Sequence, residues 1–432
     1  MGITIQRASK GQIVNLSHDA AGAIEFHLRD QRRVWNLALR LNEMFYRSAG
    51  QFVFYHELAA CLTIARSVPQ FNAGGVAAQQ QCLRSFDRAL RESLPSAAKR
   101  KGFPKPRKRT SDCSIRVPAV SVKTVRQDGE ITHVGLPKIG LLRVRNLRVP
   151  KGAKINSFTL TTRAGKYYVS VQYAVEIEVP NPANDQVVGI DAGLSVYATL
   201  SNGQQIQALK PFKSSVKRLR RAQRALSRKR RGSINYRRQR QKVARVHARI
   251  ADVRRNAQHQ LSRHLVDEHG TVAIETLSLA GLKRLKHQGK AWSDIGVGEL
   301  YRQVRYKAET AGVTVYEHPR FARSTGCCPD CGYVGEKLPL YIRSWSCPAC
   351  GREHDRDIAA ARWLALCARQ ASQVGAACPE PSGAPPQTKR GKRGSNRAVA
   401  VMRPVPSGIP ANVGSPTNVP LTSVAVPHAS TG

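Results

Sequence analysis

Val187-Val188-Gly189-Ile190-Asp191-Ala192-Gly193-Leu194-Ser195-Val196-Tyr197-Ala198-Thr199-Leu200-Ser201-Asn202-Gly203 is the stretch on which the fold turns. Four residues, three of them strongly apolar, lead into Asp191 as a buried strand does, and a second apolar run from Val196 to Leu200 follows. Ser201-Asn202-Gly203 is a preferred hairpin turn, and Gln205 to Leu209 can supply the returning strand. Thr271 to Ile274 repeats the pattern and ends in Glu275, and Val313 to Tyr316 gives a third buried strand. Between these strands lie helical periodicities: Leu300 to Ala308, and a final helix from about Arg356 to Ala371 with Ile358, Ala361, Leu364 and Ala365 on one face. Strands that alternate with helices predict an α/β layer for this half of the chain.

The first half reads differently. Ile13-Val14 and Ile24-Glu25-Phe26-His27-Leu28 read as short strands, and from about Arg32 the period becomes helical (Val34, Leu37, Ala38, Leu41, Met44, Phe45). Phe52 to Ala65 predicts another helix, and Leu83, Phe86, Leu90 and Leu94 a third. Strand signals return at Ile115–Val117, Ile131–Leu136, Leu141–Val144 and Tyr167–Val175. The expectation is a small antiparallel barrel, completed by the N-terminal strands and interrupted by a helical bundle. The chain as a whole is α+β and multidomain.

Charge narrows the partners. Lys and Arg total 70 against 28 Asp and Glu, a formal net charge of +42 in 432 residues, while the 41% apolar content is ordinary. A folded chain this basic needs a polyanion, and phosphate backbone is the natural one. Two segments concentrate the charge. The loop around Lys105, Arg107, Lys108 and Arg109 is either a solvated linker or a nucleic-acid contact, and the overall charge favours contact. A helical hairpin broken at Gly232-Ser233 carries Lys217, Arg220, Arg221, Arg228, Lys229, Arg230 and Arg237 outside its apolar stripe, as candidate phosphate contacts. The N-terminus lacks the apolar core of a signal peptide and no run reaches a membrane span, so a cytoplasmic, reduced protein with no membrane partner is expected. The stretch from about Ser372 is rich in Pro, Gly, Ser and Ala, has no aromatic residue, and reads as disordered.

Two constellations carry chemistry. Of ten cysteines, five lie between Cys327 and Cys350. Cys328-x-x-Cys331 and Cys347-x-x-Cys350, with fifteen residues between them, have the spacing of one structural Zn²⁺ held by four thiolates. Cys327 adjoins Cys328 too closely to share the ion, and Trp345 is placed as packing on the ribbon. Asp191 and Glu275 each end an apolar strand, and Asp357 opens the last helix. Acids so placed need a cation or exposure, and carboxylates suit Mg²⁺ or Mn²⁺; two such ions roughly 4 Å apart serve phosphodiester hydrolysis. Taken singly, each acid is equally a strand-end or helix-cap carboxylate, and Asp355 and Asp357 equally helix N-terminal charges. Periodicity leaves both readings open.

From Pro137 to Leu366 the chain resembles TnpB, the transposon-encoded family related to type V CRISPR effectors. The resemblance rests on VGLPKIGLLRV, GKYYVSVQY, VVGIDAGLSVYATLSNG, VAIETLSLAGL, LYRQVRYKAETAGV, PRFARST, CPDCG and CPACGREHDRDIAAA in that order; GFPKPRKR matches more loosely. It implies RNA-guided DNA cleavage, with a guide RNA and target DNA as partners. It implies a wedge-type barrel over 1–30 and 111–182 and a helical recognition insertion with its basic loop over 31–110. It further implies an RNase H-like RuvC domain over 183–323 and 354–371, a zinc ribbon over 324–353 and a tail over 372–432. The catalytic acids fall on Asp191, Glu275 and Asp357, and the family arginine on Arg356, either against the scissile phosphate or pairing an acid. Where the family usually has asparagine, this chain has Ala359 and Trp363, which bears on helix packing and substrate contacts. A miniature CRISPR effector shares all these motifs, a nuclease-inactive DNA-binding repressor typically lacks an acid, and a strand-joining transposase would need groups not seen here.

Overall fold

A computed structural model describes residues 2–97, 101–108, 113–122, 124–182, 184–207, 210–336, 338–339 and 341–374. Arg109 and most of the expected tail, from 375 onward, lie outside the described residues. Among the described residues, no helix is long and apolar enough to cross a membrane.

Strands β1 (Gly2–Val14), β2 (Ser114–Pro118), β3 (Thr124–Asp128), β4 (Ile131–Leu136), β5 (Gly140–Arg145), β6 (Lys154–Arg163) and β7 (Lys166–Glu178) form one antiparallel sheet in the order β2-β6-β7-β1-β5-β4-β3. Alternate residues point inward, such as Ile115 and Val117, Val134 and Leu136, and Leu142 and Val144. They share a single core with Phe158, Leu160, Val169 and Val171, so the sheet curls around it. Among the described residues β2 and β3 are its two edges and are not paired with each other, so the expected antiparallel barrel takes the form of a half-barrel.

The N-terminal helix also departs from expectation. Ile24–Leu28 is not a strand but lies inside α1 (His18–Ala49), which begins fourteen residues before Arg32. Ser17 caps the helix, its Oγ accepting from the Ala20 N–H at 3.2 Å. The buried positions Ile24, Leu28, Gln31, Val34, Trp35 and Ala38 recur at threes and fours. Ile24 and Leu28 fit both i, i+2, i+4 alternation and the i, i+4 face of a helix, and a five-residue window cannot separate them. Helices α2 (Tyr55–Ala65), α3 (Pro69–Asn72) and α4 (Val76–Arg91) complete the bundle, with Phe86 and Leu90 fully buried between α1 and α2.

The second sheet is β10 (Gln205–Gln207), β9 (Val196–Leu200), β8 (Val187–Asp191), β11 (Thr271–Glu275) and β12 (Thr314–His318), in that spatial order. β8, β11 and β12 are parallel and β9 and β10 antiparallel. The basic hairpin is α5 (Pro211–Ser227) and α6 (Ile234–Glu268); α7 (Leu279–Arg284), α8 (Gly289–Ile295) and α9 (Val297–Ala311) follow β11. β13 (Ser344–Ser346) and β14 (Glu353–Asp355) pair as a small ribbon that leads straight into α10 (Arg356–Val374). Val188, Ile190, Val272 and Ile274 pack against α6 and α9 on one face, while Ala273 packs against Leu364 and Ala368 of α10 on the other. Two buried faces explain why these strands read as continuous apolar runs.

Gly189 sets how closely α10 approaches. A Cβ there would lie 1.9 Å from the Ala361 carbonyl oxygen and 2.8 Å from the Ala365 nitrogen. Both are backbone atoms and cannot swing aside. Gly189→Ala is therefore expected to cost about 1–3 kcal/mol in urea unfolding. Gly22→Ala, where a Cβ on α1 meets nothing within 4 Å, should be neutral or stabilising. Equal effects of the two substitutions would refute the close approach.

Candidate metal centres and basic surface

Asp191 and Glu275 occupy the C-terminal ends of neighbouring parallel strands, one residue beyond the paired Ile190 and Ile274. Asp357 enters from the opposite face, in the first turn of α10. Burial pushes the Asp191 carboxyl well above the carboxylate range, and the charges of Glu275 and Asp357 push it further. Asp355 has a different role: its Oδ1 accepts from the backbone N–H groups of Asp357 and Ile358, both at 3.0 Å. It is the helix cap, which leaves Asp357 to face the other acids.

Arg356 is buried, and its guanidinium donates to the Pro339 carbonyl at 2.9 Å, so it braces the ribbon against α10; its charge partly offsets those around Asp191. The ion pair to the triad comes instead from Arg343, 3.4 Å from Asp357. Three further residues at the site were not singled out from sequence. The Ser324 hydroxyl donates to Glu275. His318 ends β12 directly beside Glu275, the same strand-end position that marked the two acids. Tyr301 of α9 is buried, its hydroxyl unpartnered among the described residues, and its pKa is pushed far up by burial and then by Glu275 and Asp191. An aromatic in an amphipathic helix gives no sequence signal for that. A cleft of about 470 Å³ opens at this point, lined by Glu275, Thr276, His318, Phe321, Arg323 and Ser324. Half-buried acids that repel one another fit a hard divalent cation, which would offset both the desolvation and the repulsion.

The four cysteines converge as their spacing predicts. Each pair is held in a tight turn, with Gly332 N–H donating to the Cys328 carbonyl at 3.1 Å and Gly351 N–H to that of Cys347 at 2.8 Å. Both glycines have positive φ, 78° and 71°. All four sulfurs lie within 4.8 Å of one another, Cys328–Cys350 at 3.7 Å and Cys331–Cys347 at 3.6 Å. A tetrahedron of sulfurs with metal–sulfur bonds of 2.3 Å has edges of about 3.8 Å, so the cluster has the size of a metal site. Cys327 points away, packing with Trp363 and Cys367. Trp345 packs on His354, ring centroids 5.1 Å apart. Ala359 and Trp363, which replace the expected asparagines, are both buried, and Trp363 fills the joint between α10 and the ribbon.

The basic segments differ in how they are held. The loop after the helical bundle is pinned, not a free linker: Trp35 Nε1 donates to the Lys105 carbonyl at 3.0 Å, and the Arg107 backbone exchanges two hydrogen bonds with Asn36. The Arg107 guanidinium stacks 3.7 Å from the Trp35 ring centroid, whereas Lys105 and Lys108 are exposed. On the hairpin, Lys217, Arg220, Arg221 and Arg228 are exposed and line one groove of about 450 Å³ with Arg224. Lys229, Arg230 and Arg237 are exposed at the turn and the start of α6. Buried Asp294 fixes the hairpin's base. Its carboxylate accepts from the Phe212 and Lys213 N–H groups at 3.1 and 3.2 Å and from Arg254 at 2.8 Å, a cap supplied from 81 residues away that no local pattern reveals.

The chain is similar to several known proteins. Residues 170–286 match the family model described as probable transposase (IS605 OrfB), and residues 298–364 match the Cas12f1-like TNB domain. A protein of Streptomyces pristinaespiralis named as an RNA-guided DNA endonuclease is 33% identical over 384 residues, 88% of this chain and 92% of the relative. InsQ of Escherichia coli, named likewise, is 28% identical over 77% of this chain and 85% of its own. A Cas12f1–guide RNA–target DNA complex aligns over 84% of this chain and 98% of its own with 12% identity and a TM-score of 0.48. By its 33% identity to the Streptomyces protein over most of both chains, the chain belongs to the TnpB family, the family of these RNA-guided DNA endonucleases.

Proposed function

We infer that the protein is an RNA-guided DNA endonuclease that cuts by metal-assisted phosphodiester hydrolysis. The observation that carries this reading is the placement of Asp191 and Glu275 at the ends of adjacent parallel strands, with Asp357 in the first turn of the helix that sits closely over Gly189 of β8. The strand order β10-β9-β8-β11-β12, with its parallel trio and antiparallel pair, supports an RNase H-like RuvC domain over 183–323 and 354–371. The curled sheet supports a wedge over 1–30 and 111–182, the bundle a recognition insertion over 31–110, and the cysteine cluster a zinc ribbon over 324–353.

Asp191, Glu275 and Asp357 would hold Mg²⁺ or Mn²⁺, which when bound supplies the Lewis acidity that activates water and stabilises the leaving oxygen. Cys328, Cys331, Cys347 and Cys350 would hold Zn²⁺, which closes the ribbon and supplies no chemistry. The chain's own work is positioning. The exposed Lys and Arg of the hairpin and of the pinned loop neutralise the backbones of guide RNA and target DNA, while base pairing to the guide reads the target sequence. The helix cap by Asp355 and the close seat over Gly189 fix the first turn of α10, where Asp357 sits, over the strand that ends in Asp191.

The test is purification with co-expressed RNA, followed by addition of guide-matched duplex DNA with Mg²⁺. Cleavage that requires a matching guide is expected. Tight guided binding without cleavage, across a library of flanking sequences, would instead establish a DNA-binding repressor.

A further inference from the structure

We propose that Phe321 is a stacking platform for an unpaired nucleobase of the strand being cut, holding that strand's backbone against Glu275 and its neighbours. The inference rests on the nuclease reading above and adds a residue and a substrate conformation to it.

The segment between β12 and the ribbon is tied down at several points. The Ala322 N–H donates to the Pro319 carbonyl at 3.1 Å, and His318 Nε2 lies 3.3 Å from the Arg323 carbonyl. Arg323 Nη1 donates to the Gly335 carbonyl at 2.7 Å, and the Ser324 hydroxyl donates to Glu275. A loop held this firmly nonetheless keeps a phenylalanine 92% exposed. Scattered exposed apolar residues are ordinary. This one lines the cleft that contains Glu275, and the Arg320 guanidinium sits 5.5 Å from its ring centroid. An aromatic face beside a cation is the chemistry that binds single-stranded nucleic acid: the ring stacks on a base and the guanidinium meets the adjoining phosphate.

The geometry also selects the form of the ligand. Bases inside a duplex are covered on both faces by their neighbours, so a protein ring can stack only on a base that has left the helix. Phe321 and Ser324 are three residues apart, at most about 11 Å of chain. A base held on Phe321 therefore keeps its own backbone within the cleft that Glu275 and Ser324 also line. The platform serves a strand already separated from its partner.

The test uses the full chain with its co-expressed guide RNA and the variants Phe321→Ala, Phe321→Leu and Phe321→Tyr. Alanine and leucine are expected to slow cleavage of subsaturating target by about 5–100-fold, the range for losing one base–aromatic stack. Tyrosine should remain near the parent protein. Guided binding to the duplex and the thermal midpoint should be unchanged in all three, because the side chain is exposed. A second arm, in an Asp191→Asn background, titrates a single-stranded oligonucleotide bearing 2-aminopurine. Its emission should be quenched by the Phe321 protein and much less by the Phe321→Leu form. Leucine matching phenylalanine in both arms overturns the proposal, as does a lowered thermal midpoint for leucine with unchanged quenching, which would mark Phe321 as packing. If the parent protein cleaves nothing, the nuclease reading fails, and the fluorescence arm alone decides whether Phe321 stacks on bases.

Discussion

Asp191→Asn should abolish cleavage and, without divalent metal, make the protein more stable. Both effects follow from one feature: burial first, and then the charges of Glu275 and Asp357, hold the Asp191 carboxyl well above its ordinary value of 3.8. In the unfolded chain the group ionises near that value; in the folded protein it resists ionisation. The folded state thus binds the proton more tightly, and stability falls as pH rises above 3.8. Below that pH the two states are protonated alike and the penalty vanishes. Asparagine carries no charge at any pH, so its advantage should be absent near pH 4 and present at pH 8. If relief of burial and repulsion is worth about 1–2 kcal/mol, the midpoint should rise by about 2–8 °C for a melting unit of about 150–250 residues. Adding Mg²⁺ should stabilise the parent protein and leave the variant nearly unmoved, since one of three ligands is then a neutral amide. Cleavage should fall by at least about 10²–10³-fold, as for loss of a charge-stabilising group in other hydrolytic sites. Differential scanning fluorimetry at two pH values, with and without Mg²⁺, reads the first effect. A variant that melts lower at pH 8 without metal, or gains as much from Mg²⁺ as the parent, would remove the acids from the metal site.

The contrast between Asp191 and Asp294 shows what a sequence can reveal about such a site. Asp191 and Glu275 were legible because each ends an apolar run, where a charge is costly and therefore conspicuous. Asp357 was legible as an acid at the start of an amphipathic helix, but so was Asp355, and only the hydrogen bonds separate cap from candidate ligand. The cysteines needed no tertiary information because each pair is local and the two pairs share one short ribbon. Asp294, Ser324, Tyr301 and Arg343 act through partners dozens of residues away, or across an intervening turn, and no periodicity encodes that. β6 lacks a clear strand signal because the register shifts between Ile155 and Ser157, which breaks the alternation of Ile155 with Phe158 and Leu160. Ile24–Leu28 has too few residues to distinguish two apolar periods. Gly189 lay in the opening run itself, but the demand for a missing Cβ comes from α10, well over a hundred residues later.

Cys347→Ser should release metal from the ribbon and silence the acids without disturbing the basic hairpin. Cys347 is buried and lies 3.6 Å from Cys331, so its loss removes a ligand and opens one side of the sulfur tetrahedron. Structural zinc sites of this kind contribute on the order of 10 kcal/mol to folding of their small domains, and the 3-residue strands of this ribbon have no apolar core of comparable size to replace it. The consequence travels along the chain. Cys328 Sγ lies 3.2 Å from His354 Nε2, β14 runs directly into α10, and the Arg356 N–H donates to the Arg343 carbonyl at 2.8 Å. A loosened ribbon therefore frays the first turn of α10, where Asp357 sits, and frees Arg343 from it. Metal analysis should find close to one zinc per parent chain and a small fraction of that in the variant. Limited proteolysis should open new cuts between residues 326 and 355, and cleavage of target DNA should be lost. Guide RNA binding should persist, because α5 and α6 are anchored by Asp294 and not by the ribbon. Cys61→Ser is the matched control, a free cysteine remote in sequence from the cluster, and should change none of these readouts. Should Cys347→Ser keep its zinc, the four-sulfur site is wrong; should it lose zinc yet cut normally, the ribbon does not position Asp357.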